Sequence, residues 1–324
     1  MSVLDEASLL EVACDTQHMS ALLCNGQSLQ PNIRGARIHH ASVLRHKQGK
    51  RCLIKYLATD TSGSAIEFLG KIRFKGLDRK SAAIQQRLAA LHRDGAEQCR
   101  HAPVAVPRVY GTLPSLNMWL QEFVCPATPL TVDSDNFIAA QPSVAQALAQ
   151  LHQTRLLELA HHTIDEELTF LRTRFQRLRQ THPELDSHIN RLEEKVDAVA
   201  NELRSSSLLT TIHRDFYFDQ VLLTETQVVM VDLDLCCLGP LELDVGNYIG
   251  HLREYAIRFP ESADRCDHAE NIFVNAYLRH MPQAGYEPIQ HWATLTLARH
   301  VSLSTVLPGR SPTTLALIEN TMNT

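Results

Sequence analysis

The sequence predicts an α+β chain in two lobes: a small antiparallel β-rich lobe over residues 1–124 and a larger helical lobe over residues 125–324. Three observations predict it. The strand-like runs ARIHHASVLRH (36–46), RCLIKYLA (51–58) and AIEFLGKIRF (65–74) follow one another across the short turns KQGK and TDTSGS, the signature of an antiparallel meander. Near residue 125 the character changes, because CPATPLTVDSD is rich in Pro, Thr and Asp and reads as a linker. Beyond it, helical periodicity dominates, over 143–156, 166–180 and 185–205. A length of 324 residues suits two domains of about 100–200 residues each.

The remaining elements follow the same logic. LDEASLLEVACDTQHMSALL, within residues 1–30, is amphipathic and predicts one helix. SAAIQQRLAALHRDG (81–95) places Ile84, Leu88 and Leu91 on one helical face, with Gly95 as a stop. VPRVYGTLP and MWLQEFV supply two more strands. Within the helical lobe a compact β segment, TTIHRDFYFDQVLLTETQVVMVDLD (210–234), interrupts the helices, which resume from 243.

Composition narrows the function classes. Hydrophobic residues make up 44% and charged residues 21%, a globular balance that argues against extended disorder. The net charge of −5 comes with no basic stripe, so no nucleic-acid partner is expected. No apolar run approaches the roughly 20 residues of a membrane span. The N-terminus carries Asp5, Glu6 and Glu11 and no basic n-region, unlike a signal peptide, and predicts a cytoplasmic protein. The eight cysteines form no CxxC pair, which points to reduced thiols used as small apolar residues. Oligomeric state is not written in these patterns.

The chemistry concentrates in HRDFYFDQVLL (213–223) and VVMVDLD (228–234). Asp215 precedes an apolar run, a turn follows, and a second apolar strand ends in Asp232. Such a hairpin gathers Asp215, Gln220 and Asp232 at one end of paired strands. Carboxylate and amide oxygens are hard donors suited to magnesium, which takes one or two carboxylates plus substrate phosphates. A neighbouring carboxylate can accept the proton of a substrate hydroxyl.

These two segments resemble the catalytic block of the kinase-like superfamily. The continuation LCCLGPLELDVGNYIGHL lacks a DFG triplet and is similar to the aminoglycoside phosphotransferase and choline kinase group. LAQLHQ (148–153) resembles the helix that precedes the catalytic loop in that group, and LQEFV (120–124) its lobe-connecting hinge. The resemblance implies a bilobed protein-kinase-like fold and an ATP- and magnesium-dependent phosphotransferase. It implies Asp215 as base, Gln220 and Asp232 as metal ligands, and Glu122 and Phe123 as the hinge that meets adenine. It leaves His213 as a loop support, Asp234 facing metal or solvent, and Asp244 as either a helix cap or an anchor of the catalytic loop. The acceptor it implies is the hydroxyl of a small molecule: an aminosugar, a sugar or an amino alcohol. Residues after 231 carry about 11 acids against 6 basic residues, which suits a cationic acceptor, although a neutral one fits as well.

Three features depart from the group's pattern. Gln220 stands where Asn is usual, a glycine-rich phosphate loop is hard to find, and residues 72–96 contain no glutamate to pair the strand lysine, leaving Asp78, Gln85 or Gln86. The lysine has two candidates. Lys71 lies on the last strand before the helix, with 47–50 as its loop, and is favoured; Lys55 would make 32–35 the loop. The departures keep open a kinase-like nucleotide-binding or regulatory module without transfer activity.

Overall fold

The computed structural model describes residues 5–94, 104–154, 156, 158–204 and 208–324, with backbone alone at 92–94. The expected stop at Gly95 lies outside the described residues. The chain forms two compact units, the first ending at Ala127 and the second holding Thr128–Thr324 together with Val104.

In the first unit the single N-terminal helix expected from periodicity is two, α1 (Glu6–Cys14) and α2 (Thr16–Asn25). Asp15 makes the break: its Oδ1 accepts the amides of Gln17 and His18 at 2.8 Å each, which caps α2, while its own amide still closes α1 on the Glu11 carbonyl. The sheet has strands β1 (Arg37–Lys47), β2 (Arg51–Thr59), β3 (Ala65–Arg73), β4 (Val109–Leu113) and β5 (Met118–Glu122) in the order β1-β2-β3-β5-β4, and every pairing is antiparallel. The first three strands are the expected meander; β5 then pairs with β3.

Strict alternation sorts the two faces of the sheet. Cys52, Ile54 and Tyr56 of β2 with Phe68 and Ile72 of β3 are buried in one core with Leu9, Ala13, Met19 and Leu23 of α1 and α2. Gly70 sits in this core because any Cβ there would lie 2.7 Å from the Met118 sulfur and 2.9 Å from the Tyr56 ring. Lys55, Glu67 and Lys71 occupy the alternate, half-buried positions. Helix α3 (Arg79–Asp94) packs Ala82 near Val109 and Trp119.

The second unit contains β6 (Thr128–Pro129), α4 (Phe137–Gln153), α5 (Ile164–Thr181), α6 (Asp186–Leu203), β7 (Leu209–Ile212), β8 (Val221–Leu223), β9 (Val228–Met230), β10 (Cys237–Pro240), α7 (Leu241–Arg258), α8 (Ala263–His280), α9 (Tyr286–Ser304) and α10 (Thr314–Asn323). Helix α4 starts six residues before the expected Ser143 and carries Pro142 inside it. Buried Phe137 anchors that first turn edge-on to Phe218, with ring centroids 6.2 Å apart. The expected single β segment is divided: β7 pairs with β10, whereas β8 and β9 form a hairpin extended by β6.

Helices α5, α6, α9 and α10 share a core of Leu168, Phe175, Ile189, Val196, Leu295 and Leu317. Helix α7 meets α9 across Gly246 and Gly250. A Cβ on Gly246 would collide with that of Trp292, and one on Gly250 would lie 2.6 Å from Thr296 Cγ2. This close approach sets Arg299 of α9 against Asn247 of α7. No helix among the described residues is long and apolar enough to cross a membrane.

Candidate active site

The loop after β7 is held by α7. Asp244, fully buried, accepts the backbone amides of His213 at 2.6 Å and Arg214 at 2.7 Å. It sits inside α7, whose N-cap is Pro240, so between the two expectations for Asp244 the geometry is that of the anchor. His152, the histidine of LAQLHQ, donates from Nε2 to Asp244 at 3.1 Å and accepts the Tyr277 hydroxyl on Nδ1 at 2.6 Å. Burial pushes the Tyr277 phenol well above its ordinary value, with the charges of Glu242 and Asp244 adding to it, so it stays a donor. Asn247, one turn on, donates to the Phe216 carbonyl at 3.2 Å.

The same loop reaches the hairpin. A carbonyl can only accept, so His213 donates from Nε2 to Val231 O at 2.9 Å. The Val231 amide in turn donates to Gln220 O at 3.0 Å, continuing the β8–β9 ladder by one step. Gln220 and Asp232 thus leave the same end of the hairpin, and the His213 bond ties the Asp215 loop to that end. Arg214 and Asp232 have φ of 72° and 60°, left-handed values rare for non-glycine residues and often found at functional sites. Asp215, Asp232 and Asp234 are half-buried and Gln220 is buried. Carboxylate and amide oxygens of this kind are the hard donors that magnesium takes. Cys236 and Cys237 are buried beside it as free thiols.

In the first unit the two lysines differ. Lys55 Nζ lies 3.1 Å from Glu67 and 3.9 Å from the centroid of Phe123. Lys71, on β3 directly before α3, lies 4.9 Å from the centroid of Trp119. Of the residues expected to replace the missing helix glutamate, Asp78 pairs with Arg73 and caps α3 through Ser81, and Gln85 donates to Pro107 O at 2.8 Å. Residues 32–35 do not form a loop between two strands: Gly35 N–H donates to Leu23 O and Arg34 to Gln27 O, which fastens the segment to the end of α2. The β1–β2 turn at 47–50 is the tighter candidate, with Gly49 at a φ of 67°. The Glu122 amide donates to Arg108 O, and its carboxylate is gripped by the Arg108 guanidinium at 2.9 Å.

Residues 54–289 match the phosphotransferase enzyme family. The chain belongs to that family. The chain is 25% identical over 185 residues to methylthioribose kinase from Escherichia coli O45:K1, a match covering 48% of this chain and 44% of that protein, so the match spans less than half the length of that curated relative. Its fold is similar to the choline kinase of Streptococcus pneumoniae, at a TM-score of 0.62, 11% identity, and 95% and 97% coverage of the two chains. It is also similar to amicoumacin kinase, solved with AMP-PNP and Ca2+, at a TM-score of 0.61, 11% identity, and 97% and 95% coverage. The fold is kinase-like α+β, as expected. Sequence reasoning names Asp244 but misses Asn247 and Tyr277, and sees His152 only within a helix. Their signal is spatial: each is a polar residue fully buried or nearly so, visible once α4, α7 and α8 are packed together.

Proposed function

We propose that this phosphotransferase moves the γ-phosphoryl group of ATP to a hydroxyl of a small molecule. Asp215 accepts the hydroxyl proton as the oxygen attacks phosphorus, and ADP leaves. Gln220 and Asp232 are the residues that would hold magnesium, whose charge offsets that developing on the transferred group. Lys71 is the phosphate lysine, because it lies on β3, the last strand before α3. Backbone near Phe123 meets the adenine. An ATP-using enzyme whose seven described cysteines are free thiols suits the cytoplasm.

The observation that carries this reading is the double hold on the loop. Asp244 fixes the amides at 213 and 214, and His213 fixes the loop to Val231, so Asp215 and Asp232 belong to one braced structure. The test is acceptor-dependent ADP release with Asp215→Asn. We expect kcat to fall by about 10²–10⁴-fold while ATP affinity changes little. Lys71→Ala should raise the KM for ATP strongly and Lys55→Ala only mildly. Phosphoryl transfer that survives Asp215→Asn would reject the mechanism. Gln220 and the absence of a glutamate in 72–96 favour the second reading, a nucleotide-binding module without transfer; a magnesium-dependent thermal shift with ATP but no ADP release over any hydroxyl compound would establish it.

A further inference from the structure

Helix α5 and the end of α9 flank a half-open cavity of about 540 Å³, a size that suits a small organic molecule. Phe170, Thr173, Arg174, Arg177, Ser302 and Thr305 line it. One end abuts the catalytic loop, because the Arg214 guanidinium lies 5.5 Å from the Phe170 ring centroid. Arg299, one turn before the lining residue Ser302, donates to Asn247, which holds the loop at Phe216.

The cavity's charge is unbalanced. Arg174 is half-buried, and its polar contact is Ser302 Oγ at 3.4 Å. Among the described residues no carboxylate lies within 4.0 Å of Arg174, Arg177, Arg214 or Arg299, whereas other arginines of the unit, such as Arg179 and Arg253, have such partners at 2.7 Å and 2.5 Å. The nearby carboxylate is Glu167, and it is taken by His162 at 3.1 Å. Burial pushes the Glu167 carboxyl up, but the His162 hydrogen bond and the fields of Arg299, His162 and Arg214 outweigh it and keep the group below its ordinary value. Burial and the repulsion of Arg299 lower the basicity of Arg174 despite Glu167. A guanidinium partly withdrawn from water without a paired anion, as that of Arg174 is, is costly to hold, and a bound anion offsets that cost.

We propose that this cavity is the acceptor subsite and that the acceptor is an anionic hydroxyl compound, its carboxylate or phosphate seated on Arg174 and Arg177 and its hydroxyl directed to Asp215. The proposal rests on the phosphotransfer reading for the role of Asp215. It reverses the cationic acceptor suggested by the acidic surplus after residue 231. That surplus is a property of a long surface, whereas the charges lining this cavity are arginines.

Matched pairs test it: gluconate against glucose, ribose 5-phosphate against ribose, and choline as the cation. Calorimetry without nucleotide reads binding, and ADP release reads transfer. The anionic member of at least one pair should bind at least about tenfold more tightly than its neutral partner, and Arg174→Ala should remove about tenfold or more of that affinity while the KM for ATP stays within about twofold. The two pairs separate a carboxylate from a phosphate. Equal or better binding of the neutral compounds or choline, no binding of either anion at millimolar concentration, or an Arg174→Ala protein that binds the anion as wild type does would each overturn the proposal. If Arg174→Ala does not fold, Arg177→Ala at the exposed side and Arg174→Lys carry the same comparison. An anion bound through Arg174 with no transfer to any acceptor would sink the phosphotransfer reading and leave the anion subsite standing.

Discussion

Asp244 serves three donors with two oxygens: two loop amides and the His152 imidazole. Asp244→Asn leaves an NH₂ group facing one of them in a fully buried site. We expect a cost of about 2–3 kcal/mol, read as a melting temperature lower by several degrees, and a kcat that falls far more than ATP affinity does. A wild-type kcat in a stably folded Asp244→Asn protein would show that the anchor does not position Asp215. Gln220→Asn is the opposite kind of change, one methylene shorter with the same amide oxygen. It should keep activity and alter the magnesium concentration required, which a titration of rate against magnesium reads. Asp215, Gln220 and Asp232 can be proposed from the sequence because their spacing is local to one loop and the hairpin that follows it. His152, Asn247 and Tyr277 are not, since what marks them is the burial of a polar atom by helices distant in sequence.

Among the elements, the β1–β2 turn is tethered from α1. Glu6 accepts the Gly49 amide at 2.8 Å and His46 Nε2 at 2.7 Å. If the turn covers the phosphates, Glu6→Ala should loosen it: stability falls by about 1 kcal/mol and the KM for ATP rises about threefold with kcat kept. Glu6→Gln retains an acceptor and should stay near wild type. An unchanged KM for Glu6→Ala would remove the turn from the nucleotide site. The meander and α3 are readable from alternation and helical periodicity. The break at Asp15 escapes periodicity, which runs on across a one-residue kink, although a capping residue ahead of TQHM signals it. Helix α4 begins earlier than the sequence suggests, because a proline usually ends a helix. Here Pro142 is the sixth residue of the helix, and its missing N–H removes the one bond that would reach the Ile138 carbonyl while the turns on either side stay helical.

For the whole molecule, buried histidines set an acid limit. His251 and His300 are held well below the ordinary imidazole range, first by burial, then by each other's charge for His251 and by Arg299, Arg310 and Arg258 for both. The folded value lies below the unfolded value of about 6.5, so the unfolded chain takes up protons first. Their contribution is complete above pH about 6.5 and is lost as pH falls through the range below it, at up to about 1.4 kcal/mol per pH unit for each group. Melting temperature should fall between pH 7 and 5, and His300→Phe should flatten that slope. A slope unaltered in His300→Phe would assign the acid sensitivity elsewhere. The bracing of the 213–216 loop also bears on the order in which the chain is made. Every motif residue through Asp244 is synthesised before Tyr277 and Arg299, which support the loop from α8 and α9 through His152 and Asn247. A chain cut short ahead of α9 would carry every motif residue but lack Arg299, so the bracing of the loop is complete only after this last part of the chain has been made and has packed.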